Sequence, residues 1–199
     1  LRVWIEGSYD AATAPYPCRE SRIAIVGANP DQSADLVQRI YVHELYHALQ
    51  QSLMDGCQTF GVSERGYYEP IDDPDYEAKQ EAGRWLAEGT ADYFSYIIKD
   101  QINGTTNGIQ LMFAAAAAVA NESQDINNDL APSSAAAVRL LIERGVITED
   151  EIVSGSMFET CDWVDTFGAA TPNAIHAKAN WHQVENAGGQ WGFKASALQ

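Results

Sequence analysis

Histidines at positions 43 and 47 bracket a glutamate in the segment Val42-His43-Glu44-Leu45-Tyr46-His47-Ala48. Four residues apart, the two imidazoles stand one above the other on a single face of an α-helix. At that separation they can hold one Zn²⁺ with little backbone adjustment. Glu44 lies one step round the helix, close enough to reach a water at the metal without ligating it. The chemistry such a set suits is hydrolysis, with Glu44 as the general base that passes a proton from water to the leaving amine. The plain alternative is a surface helix that happens to carry two histidines. The helical context and the carboxylates downstream argue against it.

A catalytic zinc takes three protein ligands and keeps a fourth position open. Glu88 is the expected third ligand, and Asp92 follows it one helical turn later, on the same face. Two neutral imidazoles and one carboxylate would leave the site with net positive charge. Asp92 is then placed to receive an imidazole N–H and to fix the tautomer and orientation of that ring. Rival third ligands are Asp92 itself, Glu81, Glu69 and the two later histidines, His176 and His182. Glu88 could also be an exposed carboxylate that pairs with Arg84.

Two helices must deliver these groups. From Ala34 to Met54 there is no Gly or Pro, and Leu36, Ile40, Leu45, Leu49 and Leu53 recur near the helical period, with Asp31 or Ser33 as the cap. A second helix opens at Asp73-Pro74 and runs to about Lys99. Gly89 interrupts it at a propensity cost of about 1 kcal/mol relative to Ala, which is expected to let the His43/His47 helix approach closely. Before these helices, Arg2–Glu6 alternates like a short strand, Gly7–Glu20 reads as loop, and Arg22–Gly27 reads as a second strand that could pair with an extended substrate. Asp55–Asp73 is a long loop whose Tyr67-Tyr68-Glu69 could line a cleft. Beyond the second helix come a turn at Asn103–Gly108 and a helix over Ile109–Asn121. Another helix, capped by Ser133 or Ser134, runs through Glu143 to a stop at Gly145, and a capping box at Thr148/Glu151 starts a short one. After Gly168 the pattern fades, and Gly188-Gly189 onward reads as tail or loose cover.

The chain of 199 residues is long enough for one domain with a substantial core, and neither a repeat nor a linker divides it. We therefore expect residues 1–199 to form a single domain, with an upper lobe over about 1–55 and a helical lower lobe over about 70–199. A formal net charge of −16, from 12 Lys+Arg against 28 Asp+Glu, argues against nucleic acid and anionic membrane as partners. No apolar run approaches the ~18 residues of a membrane span. Beginning at Leu1 suggests a processed mature form or a trimmed segment. Cys18, Cys57 and Cys161 form no C-x-x-C pair, so a cysteine zinc site is not expected. One disulfide plus a free thiol would suit a secreted protein and three buried thiols a cytoplasmic one; free-standing zinc hydrolases with acidic surfaces are usually exported, so secretion is the expectation. Asp72, Asp73 and Asp75 could bind Ca²⁺, although solvated acids are the simpler reading. The Asp125/Asn127/Asp129 alternation is not an EF-hand, because Leu130 and Ala136 stand where that loop needs Gly and Glu.

The segments His43-Glu44-Leu45-Tyr46-His47-Ala48-Leu49-Gln50 and Trp85-Leu86-Ala87-Glu88-Gly89-Thr90-Ala91-Asp92-Tyr93 together resemble the gluzincin zinc peptidases, in the peptidase MA-like branch where Trp-x-x-Glu-Gly carries the third ligand. The resemblance spans about residues 36–98, and Glu88 with Asp92 matches the Glu-x-x-x-Asp logic of thermolysin-type enzymes. The deuterolysin-like aspzincins carry Gly-Thr-x-x-Asp, and Gly89-Thr90-Ala91-Asp92 is one residue short of that. The likeness implies an α+β, zincin-like fold, with a small N-terminal sheet over the active-site helix and a mainly helical C-terminal half. It implies one catalytic Zn²⁺, peptide or protein substrates, and peptide hydrolysis through water activated by Glu44. The family also carries a Tyr or His that steadies the tetrahedral oxyanion. Tyr93, Tyr96, His176 and His182 are the candidates. Two other functions fit the same motif: a non-catalytic zincin-fold binding module, which the intact Glu44 disfavours, and another zinc-dependent amide hydrolase. A deformylase would need a cysteine ligand in a setting that Cys18 lacks.

Overall fold

The computed structural model describes residues 7–8, 22–23, 33–53, 76–126, 131–159, 163, 166–167 and 171–199. Over these the protein is mainly helical, α+β in the broad sense, with two small antiparallel sheets. In the first, β1 (Gly7–Ser8) pairs with β2 (Arg22–Ile23) in the register Gly7↔Ile23 and Ser8↔Arg22. A piece of the expected Gly7–Glu20 loop is therefore strand. The expected strand at Arg2–Glu6, the rest of Arg22–Gly27 and the Asp55–Asp73 loop lie outside the described residues, as do the three cysteines.

The helix α1 (Ala34–Leu53) begins where Ser33 accepts the Leu36 N–H on its side chain at 3.1 Å, which satisfies one of the orphan donors of the first turn. Its buried face is centred on Val42, Tyr46 and Gln50, whereas Leu45 of the leucine series is 40% exposed. The helix α2 (Tyr76–Asn103) runs one turn past the expected end, because Gly104, at φ +65°, supplies the left-handed stop. Asp100 near its end accepts the Gly108 N–H at 2.7 Å and so opens α3 (Gly108–Ala120).

The helix α4 (Ala131–Glu143) packs against α2, α3 and α6. Ser133 and Ser134 do not cap it. Both are buried inside it, since the helix already begins at Ala131 with Pro132 in its first turn, where a missing N–H is tolerated. Residues 133 to 138 are all small or β-branched and fully covered, which lets the backbones of α2 and α4 come together. Gly89 serves that contact, and not the approach of the His43/His47 helix. A Cβ at position 89 would stand 2.5 Å from the Ser134 carbonyl oxygen and 2.9 Å from the Val138 side chain. The helix ends in a Schellman turn, with Val146 N–H bonding Leu141 and Gly145 N–H bonding Ile142 at 2.9 Å each.

The capping box at Thr148/Glu151 starts α5 (Glu149–Ser154), and a 3-10 turn follows at Ser156–Phe158. The C-terminal stretch is built and not loose. Thr171 caps α6 (Pro172–Asn180), and β3 (Val184–Ala187) and β4 (Gln190–Phe193) form a hairpin across Gly188-Gly189, both at positive φ as a two-residue turn requires. Trp181 is fully buried and Phe193 meets Phe113 edge to face at 5.0 Å, so this segment closes the core. Among the described residues, no helix is long and apolar enough to cross a membrane.

Replacing Gly89 by Ala should lower stability by about 1–3 kcal/mol, the range for overpacking a tight contact. Gly192→Ala, with open space around its new methyl, should stay within about 0.5 kcal/mol. Thermal melts of the two variants check this, and equal melting temperatures would contradict it.

Candidate metal centre

The two helices that carry the motif run antiparallel, and polar pairs lie along their length. Lys99 pairs with Asp35 at one end, Arg39 with Asp92 further on, and Gln50 with Ala87 and Thr90 at the other end. Tyr46 anchors the neighbouring face of α1: its ring packs on Phe94 at 4.5 Å and its hydroxyl donates to the Ile152 carbonyl at 2.5 Å. The stripe Arg39, His43, His47 and Gln50 is thereby held against α2.

Within that frame His43, His47 and Glu88 meet. Their Nε2 atoms are 3.0 Å apart, and the Glu88 Oε2 lies 3.3 Å from each. This is nearly an equilateral triangle of three donor atoms. A tetrahedral zinc with Zn–N and Zn–O bonds of about 2.0–2.1 Å would separate its ligand atoms by about 3.3 Å. The residues present therefore fit a zinc ion, and they are the one such group of metal-ligating side chains among the described residues. The side chains are 14%, 16% and 25% exposed, so solvent reaches one side of the cluster. Both rings turn their Nε2 inward, and each Nδ1 faces an acceptor. His47 Nδ1 is 2.7 Å from Gln50 Oε1, and His43 Nδ1 is 3.8 Å from Asp92 Oδ1. Asp92 is thus placed behind His43 and not as a ligand. Arg39 clamps its Oδ1 at 2.5 Å, and its buried Oδ2 has no hydrogen-bond partner among the described residues. Glu44 is half-buried on α1.

The electrostatics of the metal-free cluster follow from these contacts. Burial works against a charge on His43, but the Asp92 and Glu88 carboxylates beside it outweigh it and raise the pKa from 6.5 to about 9. Burial pushes the Glu88 carboxyl up, yet the two histidines beside it hold it below the usual carboxylate range.

No family model, curated protein or solved structure matches this chain.

The other candidates are placed elsewhere. Tyr93 donates its hydroxyl to Glu149 at 2.7 Å and accepts from Arg139 at 2.9 Å, so it faces α4 and α5, and burial pushes its pKa up. Tyr96 is buried with the Arg39 guanidinium 4.5 Å over its ring, and burial pushes its phenol up to about 12. His176 bonds the Ala197 carbonyl at 2.7 Å, and His182 lies with Lys194 and Trp191 in a cavity beside α3. Neither histidine belongs to the metal-ligating group. The Glu81 side chain, Glu69, Tyr67, Tyr68 and the acids at 72, 73 and 75 lie outside the described residues. Arg84 is exposed. Sequence reasoning passed over Gln50, Arg39 and Thr90 as parts of the site. Gln50 and Arg39 stand three and four residues from His47 and His43, and that helical spacing was the available signal; Thr90, two residues from Glu88, offered none.

In metal-free protein, the pairing of His43 with Glu88 and Asp92 contributes to stability in full below pH ~6.5, the unfolded value, and loses that contribution as pH rises through about 9. The denaturant midpoint of chelator-treated protein should therefore fall across this window. The fall should vanish in His43→Gln. A midpoint that is flat or rising in the wild type would contradict the assignment.

Proposed function

We propose that this protein is a zinc-dependent metallopeptidase of the gluzincin type, on a zincin-like arrangement of its two ligand helices. The supporting observation is the triangle of two Nε2 atoms and one carboxylate oxygen, drawn together from positions 43, 47 and 88. His43, His47 and Glu88 would hold the ion, with no aid from the tail histidines. Zinc bound there supplies Lewis acidity toward water and toward a peptide carbonyl. Glu44, the next residue on α1, takes the proton of the attacking water on its carboxylate and returns it to the departing amine nitrogen. Gln50 orients the His47 ring from behind, and Asp92, held by Arg39, stands behind His43.

The solvent-reached side of the cluster is where a substrate carbonyl would enter. Peptides or proteins outside the cell are the proposed substrates, in keeping with the acidic composition. A binding module that keeps its metal without turnover, or an amide hydrolase acting on other substrates, would share the ligands and differ in the assay.

Metal analysis should find one zinc per chain, and casein hydrolysis should stop on chelation and return on adding zinc. Glu44→Gln should keep the zinc and lose activity by about 10²–10⁴-fold, the usual worth of a general base. Undiminished hydrolysis in Glu44→Gln would refute its role. Zinc binding without hydrolysis of any peptide substrate would favour the binding module.

A further inference from the structure

We propose that Gln50 is a positioning residue that sets the tautomer of His47 and so delivers its Nε2 lone pair to the metal. This rests on the metal-site reading above. Donor and acceptor roles follow here from the chemistry of the groups alone. The Ala87 carbonyl can only accept a hydrogen bond, so the Gln50 atom 3.0 Å from it must be the amide nitrogen. The same nitrogen donates its other hydrogen to Thr90 Oγ1 at 2.9 Å, while the Thr90 hydroxyl donates to the Leu86 carbonyl at 2.8 Å. The amide oxygen is thereby turned to His47, and at 2.7 Å it must receive a hydrogen from Nδ1. A neutral imidazole with Nδ1–H carries its lone pair on Nε2, the atom that faces His43 and Glu88.

A flipped amide would set its oxygen against the Ala87 carbonyl and leave His47 with the proton on the wrong nitrogen. Gln50 is 2% exposed, so no water competes for these bonds. A main-chain carbonyl of α2 thus decides the ligand atom of α1 through one buried amide. The two histidines differ in this. The Nδ1 proton of His47 has a fixed acceptor before the metal arrives, whereas the acceptor behind His43 lies 3.8 Å away and is already engaged by Arg39. Gln50 also does this without adding a charge, as a carboxylate in its place would.

The probe is zinc alone, titrated into chelator-treated wild type and Gln50→Leu against a chromophoric competitor, with far-ultraviolet circular dichroism to confirm folding. Affinity should fall about 10–100-fold in Gln50→Leu, the range for loss of a partner behind a ligand. Wild-type affinity in Gln50→Leu would overturn the Gln50 role and leave the metal site standing. A wild type that takes up no zinc would instead bring down the metal-site reading, and this inference with it. In zinc-loaded wild type, long-range ¹H–¹⁵N spectra should show His47 ligated through Nε2 with a protonated, slowly exchanging Nδ1. Ligation through Nδ1 would overturn the inference, and this readout holds even if the leucine variant fails to fold.

Discussion

A buried interface between two helices normally excludes charge, yet α1 and α2 meet through arginine, histidine, glutamine, glutamate and aspartate. That is possible because the groups pair with one another across the antiparallel helices, with Asp92 Oδ2 the one buried atom of the set left without a partner among the described residues. Arg39 finds Asp92, the two imidazoles find Glu88, and Gln50 finds the backbone and hydroxyl of α2. A polar group buried without a partner costs about 1–3 kcal/mol, and a lone charge more. Each contact therefore fixes the register of α1 on α2, and the register places the three donor atoms.

The surroundings keep that register rigid. Apolar anchors flank the polar stripe, with Tyr46 reaching to the backbone of α5 and its ring on Phe94. On its other side α2 is seated on α4 through the glycine at position 89, where the two backbones come close. Glu88 is thus adjacent to the closest contact of its helix with α4. A triangle of donors with edges of 3.0–3.3 Å needs such support, since a shift of one ångström would leave it too open for a small cation.

The charge balance of the cluster favours positive charge. In metal-free protein a proton raised onto His43 compensates the neighbouring carboxylates, so the site is already arranged for positive charge. Binding a divalent ion would displace that proton, which ties occupancy to pH. The three side chains are not sealed from solvent, at 14%, 16% and 25% exposed.

The chain itself determined what depends on helical period alone. His43 with His47, and Glu88 with Asp92, share faces because four residues make about one turn, and Ser33, Gly145 and Thr148 mark boundaries through local bonding. Where local signals competed with packing, the sequence misled. Ser133 and Ser134 have the chemistry of caps, but a close helix crossing needed small residues there. Gly188-Gly189 looked like a loose end, but it turns a hairpin whose aromatics reach the core. Which helix Gly89 admits, that Asp92 stands behind the His43 ring, and that the amide at position 50 lies against His47 Nδ1 were decided by the tertiary structure. Spacing along a chain states which residues share a face. Only the meeting of two faces, each satisfying the other's hydrogen bonds, states what that face touches.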